Sequence, residues 1–572
     1  MKKILFIVLL VFTLNVFADL DENNILKRRA RSYKSRKQYE KAINIYETIK
    51  KNDPNDMDNI RELILVFIQT SKIERAEKLL NSYIMKMQED LHFQLKLMIL
   101  LHKAEFVKAQ KLSSEYLDKH RGNINNYGSV AKVFEQYRQY DTAVEIYLKA
   151  RKIAGDENLY IRELAYDHQA LKDTENAVRE FIKLVEKKNS YSSLVLSHFK
   201  TMLNEDAHVI RYIKETTSKS KNLTIKEIYA LCLGEIGEYE KALKEYEALP
   251  AKNLLKFADR MEKSGKTIIA IRAYKIFLNR NIDVVENAKT MIRLANIYIL
   301  QDKLGKAEEI LLGLYLDNDL KLKRNRYKTR ANRQCRELLA KIYLMRNASQ
   351  RIIIQYLEEA KEFTFNKNDI NEIEFKIIHL LIMNEKNDLA KEKLKNVLIN
   401  ENSGSDIFKK GYYYSFLIAV MTNDAESDSL LGELLINIPE DDLTNDALLL
   451  FQSTNHVQSN ADRVDLLRAY RKRSLYKNSE AIEILRSIYK RSKVEDMLFL
   501  AGEWALQTGN LELASEIFSH EYSKQDLQQY AILKRVEIEN NKTEKKNYSR
   551  SFLQSNPQSI FSPQFRRILV NE

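Results

Sequence analysis

Residues 127–150 read YGSVAKVFEQYRQYDTAVEIYLKA, a stretch whose spacing predicts two packed helices. Residues three or four positions apart lie on one face of an α-helix, and a short polar turn between two such faces folds the helices back on each other. The two faces consist of Tyr127, Val130, Ala131 and Phe134 before the turn, and of Ala143, Tyr147 and Ala150 after it. The stretch is therefore expected to be a helical hairpin.

The same spacing recurs along the chain at a period of 34 residues. Any one match is an ordinary pattern of core residues, whereas recurrence in register is typical of a repeat array in which each hairpin buries its apolar face against its neighbours. The expected packing positions are Ala30, Ala42, Tyr46, Ala131, Ala143, Tyr147, Ala165, Ala177, Phe181, Ala230, Ala242, Tyr246, Ala295 and Ala307.

Length and composition favour such an array. The chain has 572 residues, which is too many for a single hydrophobic core of roughly 250 to 300 residues. Only 13 glycines and 5 prolines are present, so little material is available for the tight turns of a β-rich fold. We expect an all-α protein that extends by repetition.

The repeat resembles the tetratricopeptide (TPR) family, in which a small residue lets the two helices approach and an aromatic residue locks them. The resemblance implies an α-solenoid of stacked antiparallel hairpins, a superhelix in one piece or in two or three blocks. The first helices would line a groove that binds proteins. The expected segments are a signal peptide (1–18), an N-terminal TPR block (19–185), an irregular helical linker (186–222), a central TPR block (223–400), an irregular helical region (401–465), a degenerate C-terminal TPR block (466–540) and a cap or loose tail (541–572).

The first eighteen residues have the features of a secretory signal peptide. Lys2 and Lys3 precede a short apolar run that ends in Val16-Phe17-Ala18, and acidic residues follow at once. A run of this length is too short to span a bilayer. The alternative, a buried N-terminal helix, fits the acidic stretch less well. We therefore expect export to the periplasm of a Gram-negative-like bacterium and no transmembrane segment in the mature chain, with peripheral association with the envelope left open.

The sequence carries no recognisable catalytic motif. Gly-rich phosphate loops, Gly-x-Ser-x-Gly elbows, His-Glu-x-x-His helices and Cys-x-x-Cys pairs are all missing, and these are the common spacings of enzymes and metal sites. Cys232 and Cys335 are expected to be separate buried thiols. Trp504 is either a groove-facing anchor or a core residue, and packing is favoured. We expect a protein that is not an enzyme and that holds no cofactor or metal.

A line of basic residues is expected along the first helices. The family places groove residues at set positions of each repeat, and the resemblance puts Lys27, Arg31, Lys34, Arg61, Lys132 and Arg162 there. Such a groove suits acidic peptide segments or a carboxylate. The asparagine of the family's chaperone-binding clamp is replaced by Arg31, so chaperone binding is not expected. Plain solvated charges are the alternative interpretation.

A denser basic run follows Asp319 and includes Lys323, Arg326, Arg330 and Arg333. It is interpreted as a solvated helix or linker, as a surface for an anionic envelope partner, or as a nucleic-acid patch. An exported protein rarely meets nucleic acid, so no nucleic-acid partner is expected.

These features favour a non-enzymatic periplasmic scaffold. By analogy with exported members of the family, it would bind acidic or extended segments of other proteins in an outer-membrane assembly, secretion, pilus or motility complex. The alternatives are a protein that acts on peptidoglycan, with a catalytic glutamate hidden in 400–465 or the tail, and a regulator of a cell-wall synthase. Partner identity and oligomeric state do not follow from the sequence.

Overall fold

In a computed structural model, the chain is described over residues 22–280, 283–318, 326–399, 401 and 405–571. The expected signal peptide lies outside the described residues. The chain divides into two compact units, Met1–Ile269 and Ala270–Glu572. The boundary falls inside the segment 223–400, which was expected to be one block. Throughout the described ranges, the regular structure is helical.

The first unit is a succession of antiparallel hairpins, each made of a first and a second helix. A single 3₁₀ turn, Asn189–Tyr191, precedes α11. The helices are α1 (22–35), α2 (Tyr39–Asn52), α3 (Met57–Gln69), α4 (Ile73–Ser82), α5 (Glu89–His102), α6 (Phe106–Lys119), α7 (Ile124–Gln136), α8 (Tyr140–Ala154), α9 (Ile161–Ala170), α10 (Thr174–Lys187), α11 (Ser192–Glu205), α12 (Val209–Ser218), α13 (Leu223–Glu235), α14 (Tyr239–Glu247) and α15 (Ala251–Lys263). The next helix, α16 (Thr267–Asn279), contains the boundary between the units.

The second unit continues with helices of similar length. They are α17 (Val284–Leu300), α18 (Leu304–Leu316), α19 (Arg326–Met345), α20 (Gln350–Glu362), α21 (Lys367–Met383), α22 (Asn387–Leu398), α23 (Asp406–Thr422), α24 (Ser427–Asn437), α25 (Asp442–His456), α26 (Asn460–Ser474), α27 (Asn478–Ser492), α28 (Glu495–Gln507), α29 (Leu511–Phe518), α30 (Gln525–Ile538), α31 (Lys542–Ser555) and α32 (Ser562–Asn571). Helix α25 lies between the hairpins α23–α24 and α26–α27, and packs against both.

Most hairpins turn through one left-handed residue placed just beyond the first helix. Between α7 and α8 this residue is Arg138, with φ 59°; its N–H donates to the carbonyl oxygen of Glu135 (2.9 Å), and the N–H of Gln139 donates to that of Phe134 (3.0 Å). These two bonds form a Schellman cap, which satisfies the last carbonyl groups of the helix. In the first five hairpins the left-handed residues are Lys37, Ser71, Ala104, Arg138 and Lys172, spaced 34, 33, 34 and 34 residues apart.

The expected packing positions are all buried. Ala143 and Tyr147 lie on α8 against α7, and the Tyr147 ring stands 4.7 Å from that of Tyr160, at the start of the next hairpin. The alanines leave room for the helix backbones to approach, and the aromatic rings fill the space between successive hairpins. Larger side chains at such sites typically cost about 1 to 3 kcal/mol. The predicted TPR-type packing is confirmed.

The helices of the first unit form two layers. First helices pack on first helices, as α3 does on α5 and α5 on α7, while second helices are joined by ion pairs. One pair is buried: Arg151 on α8 binds both carboxylate oxygens of Glu180 on α10 at 2.8 and 2.6 Å, and its Nε donates to the carbonyl oxygen of Leu159 at 2.7 Å. Such fully hydrogen-bonded pairs fix the register between neighbours.

Two of the segments that match the repeat poorly, the expected helical linker 186–222 and the tail, each hold two helices. Residues 186–222 hold α11 and α12, whose connection passes through an extended Asp206 instead of a left-handed residue. The tail forms α31 and α32, closed by the stacked rings of Phe552 and Phe565 at 3.9 Å. Both segments continue the hairpin stacking with other core residues.

Within the described ranges, no helix combines the length and the apolar character needed to cross a bilayer.

Candidate partner-binding surfaces

The predicted groove residues all lie on first helices, but two of them are neutralised within the chain. Lys27 and Lys34 on α1 are half-buried, and their Nζ atoms lie 2.5 Å from Asp56 and 2.7 Å from Glu62. Asp56 also caps α3 by accepting the N–H of Asn59. These lysines tie α1 to α3, so their charge is not free for a partner.

The other four groove residues are exposed and fall into two groups. Arg31 and Arg61 lie on α1 and α3, and Lys132 and Arg162 lie on α7 and α9. The guanidinium of Arg162 stands 5.5 Å from the centre of the Tyr166 ring on its own helix. The basic line is therefore discontinuous.

Three carboxylates lie among the second group: Glu135 on α7 with Glu163 and Asp167 on α9, called here the acid cluster. Tyr147 donates its hydroxyl hydrogen to Oε1 of Glu135 at 2.6 Å. Glu135 and Glu163 are partly exposed, whereas Asp167 is only 3% exposed and its Oδ2 has no hydrogen-bond partner. The predicted basic line did not include these carboxylates, which lie on the same helices as Lys132 and Arg162.

The carboxylates of the acid cluster interact electrostatically. Burial, and then the negative charges of Glu135 and Glu163, raise the pKa of Asp167 to about 7. The pKa of Tyr147 is also raised, first by burial and then by the hydrogen bond to Glu135. The negative charges of the acid cluster raise it further. Both pKa values are raised because the carboxylates lie close together where the first helices are partly shielded from water.

The basic run of the second unit lines an open cavity. Lys323 lies outside the described residues. Arg326 and Arg330 on α19 are exposed, while Arg333 is held by Asp369 of α21, with 2.5 Å between Nη1 and Oδ2. The three arginines border a cavity of about 680 Å³, whose other walls include the largely exposed ring of Phe365.

Arg336 belongs to the same run but is buried. Its guanidinium stands over the rings of Tyr315 and Phe363, 4.6 and 4.2 Å from their centres, and its Nε lies 3.5 Å from Glu359. Cation–π contacts and an ion pair of this kind anchor α19 to α18 and α20. The run thus has an exposed end and an interior end.

A cleft opens in the second unit between α21, α23 and α26. Two cavities, of about 480 and 360 Å³, share His379, Ser474 and Tyr476 and so form one cleft. Beside the cleft, Arg471 on α26 binds Glu385 at 2.8 Å and donates to the carbonyl oxygen of Met421, a lining residue, at 3.3 Å.

The cleft lining combines neutral aromatic groups with a few charges. Burial lowers the pKa of His379 to about 4, so its imidazole is neutral at neutral pH. Burial raises the pKa of both Tyr413 and Tyr414, which line the wall on α23. Asp446 and the exposed Leu449 face the cleft from α25. This mixture of apolar area and sparse polar groups is typical of binding sites.

Trp504 is a core residue that packs against two residues of the cleft wall. It is 1% exposed, the Tyr470 ring stands nearly perpendicular to it with 5.1 Å between the ring centres, and the guanidinium of Arg473 covers its ring at 4.5 Å. Tyr470 and Arg473 also line the cleft. The indole therefore acts on the cleft only by positioning its wall.

Both cysteines are free and buried, as expected, and burial raises the pKa of each thiol to about 12. They are consequently unreactive thiols near neutral pH. Among the described residues, no group of histidine, cysteine, aspartate and glutamate side chains is arranged to hold a metal ion.

No protein-family model and no curated protein matches the chain. Among solved structures, the chain is similar to one described as the APC/C hetero-tetramer Cut9-Hcn1 (13% identity, 74% of this chain and 95% of that chain, TM-score 0.26). It is also similar to Naa15/Naa10 bound to HypK-THB (15% identity, 96% and 100%, TM-score 0.25). A third is YrrB, described as a TPR protein with an unusual peptide-binding site (18% identity, 37% and 97%, TM-score 0.25).

The 34-residue register, the buried alanine and aromatic positions and the left-handed hairpin turns together define the architecture. In fold, the chain is an all-α repeat protein built of tetratricopeptide-type helical hairpins.

Proposed function

We propose that the protein is a non-enzymatic periplasmic scaffold that binds other proteins of the cell envelope through its first-helix surfaces and through the cleft of the second unit. The proposal rests on the cleft of the second unit, which leaves aromatic and apolar side chains accessible beside the half-buried, neutral imidazole of His379. Clusters of this composition release water when a partner's apolar side chain enters, and aromatic residues dominate such contacts.

Leu449 offers a direct test because it lines the cleft and its side chain is exposed, outside the buried core. It is 44% exposed on α25, and Leu435 on α24 is 42% exposed but does not line the cleft. Leu449→Glu places a charge where a partner's apolar group would lie, while Leu435→Glu makes the same change elsewhere. Neither substitution buries the new carboxylate, so both variants should melt like the unchanged protein.

The experiment is an affinity capture from the organism's own envelope, followed by binding assays with the purified captured proteins. The proposal expects a small set of envelope proteins that binds the unchanged chain and Leu435→Glu directly and is lost with Leu449→Glu. Equal binding by all three proteins would contradict the cleft as the site. Recovery of murein fragments alone would instead support a role in peptidoglycan metabolism.

The basic residues need a more selective test than simple charge reversal. Reversing Lys27 or Lys34 would repel Asp56 or Glu62 and loosen α1, so lost binding would have two explanations. Arg31→Glu with Arg61→Glu changes only exposed positions on the same helices. If acidic partner segments bind there, this double variant should bind them more weakly, and with a smaller dependence on salt.

The periplasmic location rests on the N-terminal sequence and has its own test. Cell fractionation should find the protein in the periplasm, and mass spectrometry should find Asp19 as the first residue of the mature chain. A cytosolic protein that retains residues 1–18 would refute this part of the proposal.

A further inference from the structure

The acid cluster occupies the place of an ion pair found three repeats earlier. The repeat frame that aligns Ala42 with Ala143 shifts positions by 101 residues. With this shift, Tyr147 corresponds to Tyr46. Both rings are buried, and each lies on the second helix of its hairpin. The two sites therefore share one local architecture.

The charges at these matching positions differ. Lys34 and Glu62 form an ion pair of 2.7 Å between two first helices. The matching residues are Glu135 and Glu163, and the position of Val66 is taken by Asp167. One neutral pair is thus replaced by three carboxyl groups at the junction of α7 and α9.

Within the described chain, no cation pairs with these three carboxyl groups. Arg162 is adjacent in sequence, but its pKa is raised mainly by its hydrogen bond to Tyr166 and only weakly by Glu163. Lys132 is exposed on α7 and makes no ion pair in the described part of the chain. The buried Asp167 leaves Oδ2 without a donor beneath the two partly exposed glutamates. An unpaired buried carboxyl group is costly to maintain, so a donor from outside would be stabilised here.

We infer that the acid cluster binds a lysine or arginine side chain of a protein partner, which takes the place that Lys34 occupies in the first repeat. Glu135 and Glu163 would contact the cation directly. Tyr147 already donates to one oxygen of Glu135, which fixes that carboxylate and leaves the other oxygen to accept. The unpartnered Oδ2 of the buried Asp167 would offer the same cation a third acceptor.

The contact chemistry favours an organic cation over a metal ion. An ammonium group has three donors and a guanidinium has five, which suits acceptors spread over two helices. Metal binding would need the carboxylates gathered around one point, and the described residues hold no such group. This inference rests on the proposed protein-binding function for the source of the cation.

The test uses the whole mature chain and a defined probe, the peptide Ac-Gly-Gly-Lys-Gly-Gly-NH₂, observed by saturation-transfer NMR. We expect transfer to the lysine side-chain methylenes and none to the norleucine analogue. Glu163→Gln and Glu135→Lys should each weaken binding about tenfold, because each removes a charge-assisted contact. Glu62→Gln changes the matching residue of the first repeat and should leave the cluster's signal unchanged.

The outcomes separate this inference from the proposed function. Loss of signal in both cluster variants, with folded proteins by circular dichroism, supports the inference even if no envelope protein is captured. Equal signal in Glu163→Gln and the unchanged chain overturns it, whatever the capture experiment finds. Displacement of the peptide by Mg²⁺ or Ca²⁺ at concentrations too low for general screening would also overturn it, by showing a metal site.

Discussion

Replacing Asp167 by asparagine should stabilise the junction of α7 and α9 at neutral and alkaline pH. Asp167 is 3% exposed, with an unpartnered Oδ2, and burial together with Glu135 and Glu163 raises its pKa from 3.8 to about 7. Asparagine keeps the shape of the protonated acid and cannot ionise. The variant therefore avoids the cost of placing a third negative charge beside the two glutamates.

The size and sign of the effect follow from the linkage between proton binding and folding. Between the two pKa values, the folded chain binds more protons than the unfolded chain, so stability falls as the pH rises from about 4 to about 7. Each pKa unit corresponds to about 1.4 kcal/mol, which gives an upper limit of about 4 kcal/mol for the full shift. Below pH 4 the unchanged protein and the variant should be equally stable.

The assay is hydrogen exchange measured by mass spectrometry on peptides from α7 to α9. Both proteins are compared at the same pH, so the intrinsic exchange rate cancels. Protection in Asp167→Asn should exceed that of the unchanged chain at pH 8 and should equal it at pH 4. Asp118→Asn serves as the control, because Asp118 is exposed on α6 and its pKa is lowered by Lys149. Equal protection of the two proteins at pH 8 would refute the assigned burial and charge of Asp167.

Three further predictions concern the packing of the same hairpins. Glu180→Leu alone should destabilise α8–α10 by about 3 to 5 kcal/mol, because it leaves the buried guanidinium of Arg151 without its carboxylate. The double variant Arg151→Met with Glu180→Leu should recover most of this loss, as measured by hydrogen exchange in a double-mutant cycle. Arg138→Gly should stabilise the α7–α8 hairpin by about 0.5 to 1 kcal/mol in the same exchange measurement, since glycine adopts the left-handed conformation without strain. Gly128→Ala should lower the melting temperature, because the added methyl group would stand 2.7 Å from the hydroxyl oxygen of Tyr160 and displace that ring, at a cost of about 1 to 3 kcal/mol.

The regular hairpins could be predicted from sequence because packing imposes a strict spacing. Ala143 and Tyr147 must meet the facing helix at one point in every repeat, so their identities recur and reveal the register. The turn residues show no such signal. Arg138, Lys172 and Asp302 all adopt the left-handed conformation that glycine prefers, because the Schellman hydrogen bonds hold them there regardless of residue type.

The candidate surfaces were harder to predict because they depend on pairing between helices. Lys27 and Lys34 appear free in the sequence, and only the position of α3 brings Asp56 and Glu62 against them. The cleft lies where α26 returns to α21 and α23, a contact across about 90 residues that a nearest-neighbour repeat pattern does not contain. Leu449 on α25 accordingly had no place in the predicted groove.

The most direct test of the central claim, that partners bind on the first helices and in the cleft, is site-specific photocrosslinking in living cells. A photoreactive amino acid is placed singly at Arg61, Lys132 and Leu449, and, for comparison, at the exposed second-helix positions Leu148, Leu389 and Leu435. We expect covalent adducts to envelope proteins from the first set and none from the second. Adducts that form only from the second-helix positions would contradict it.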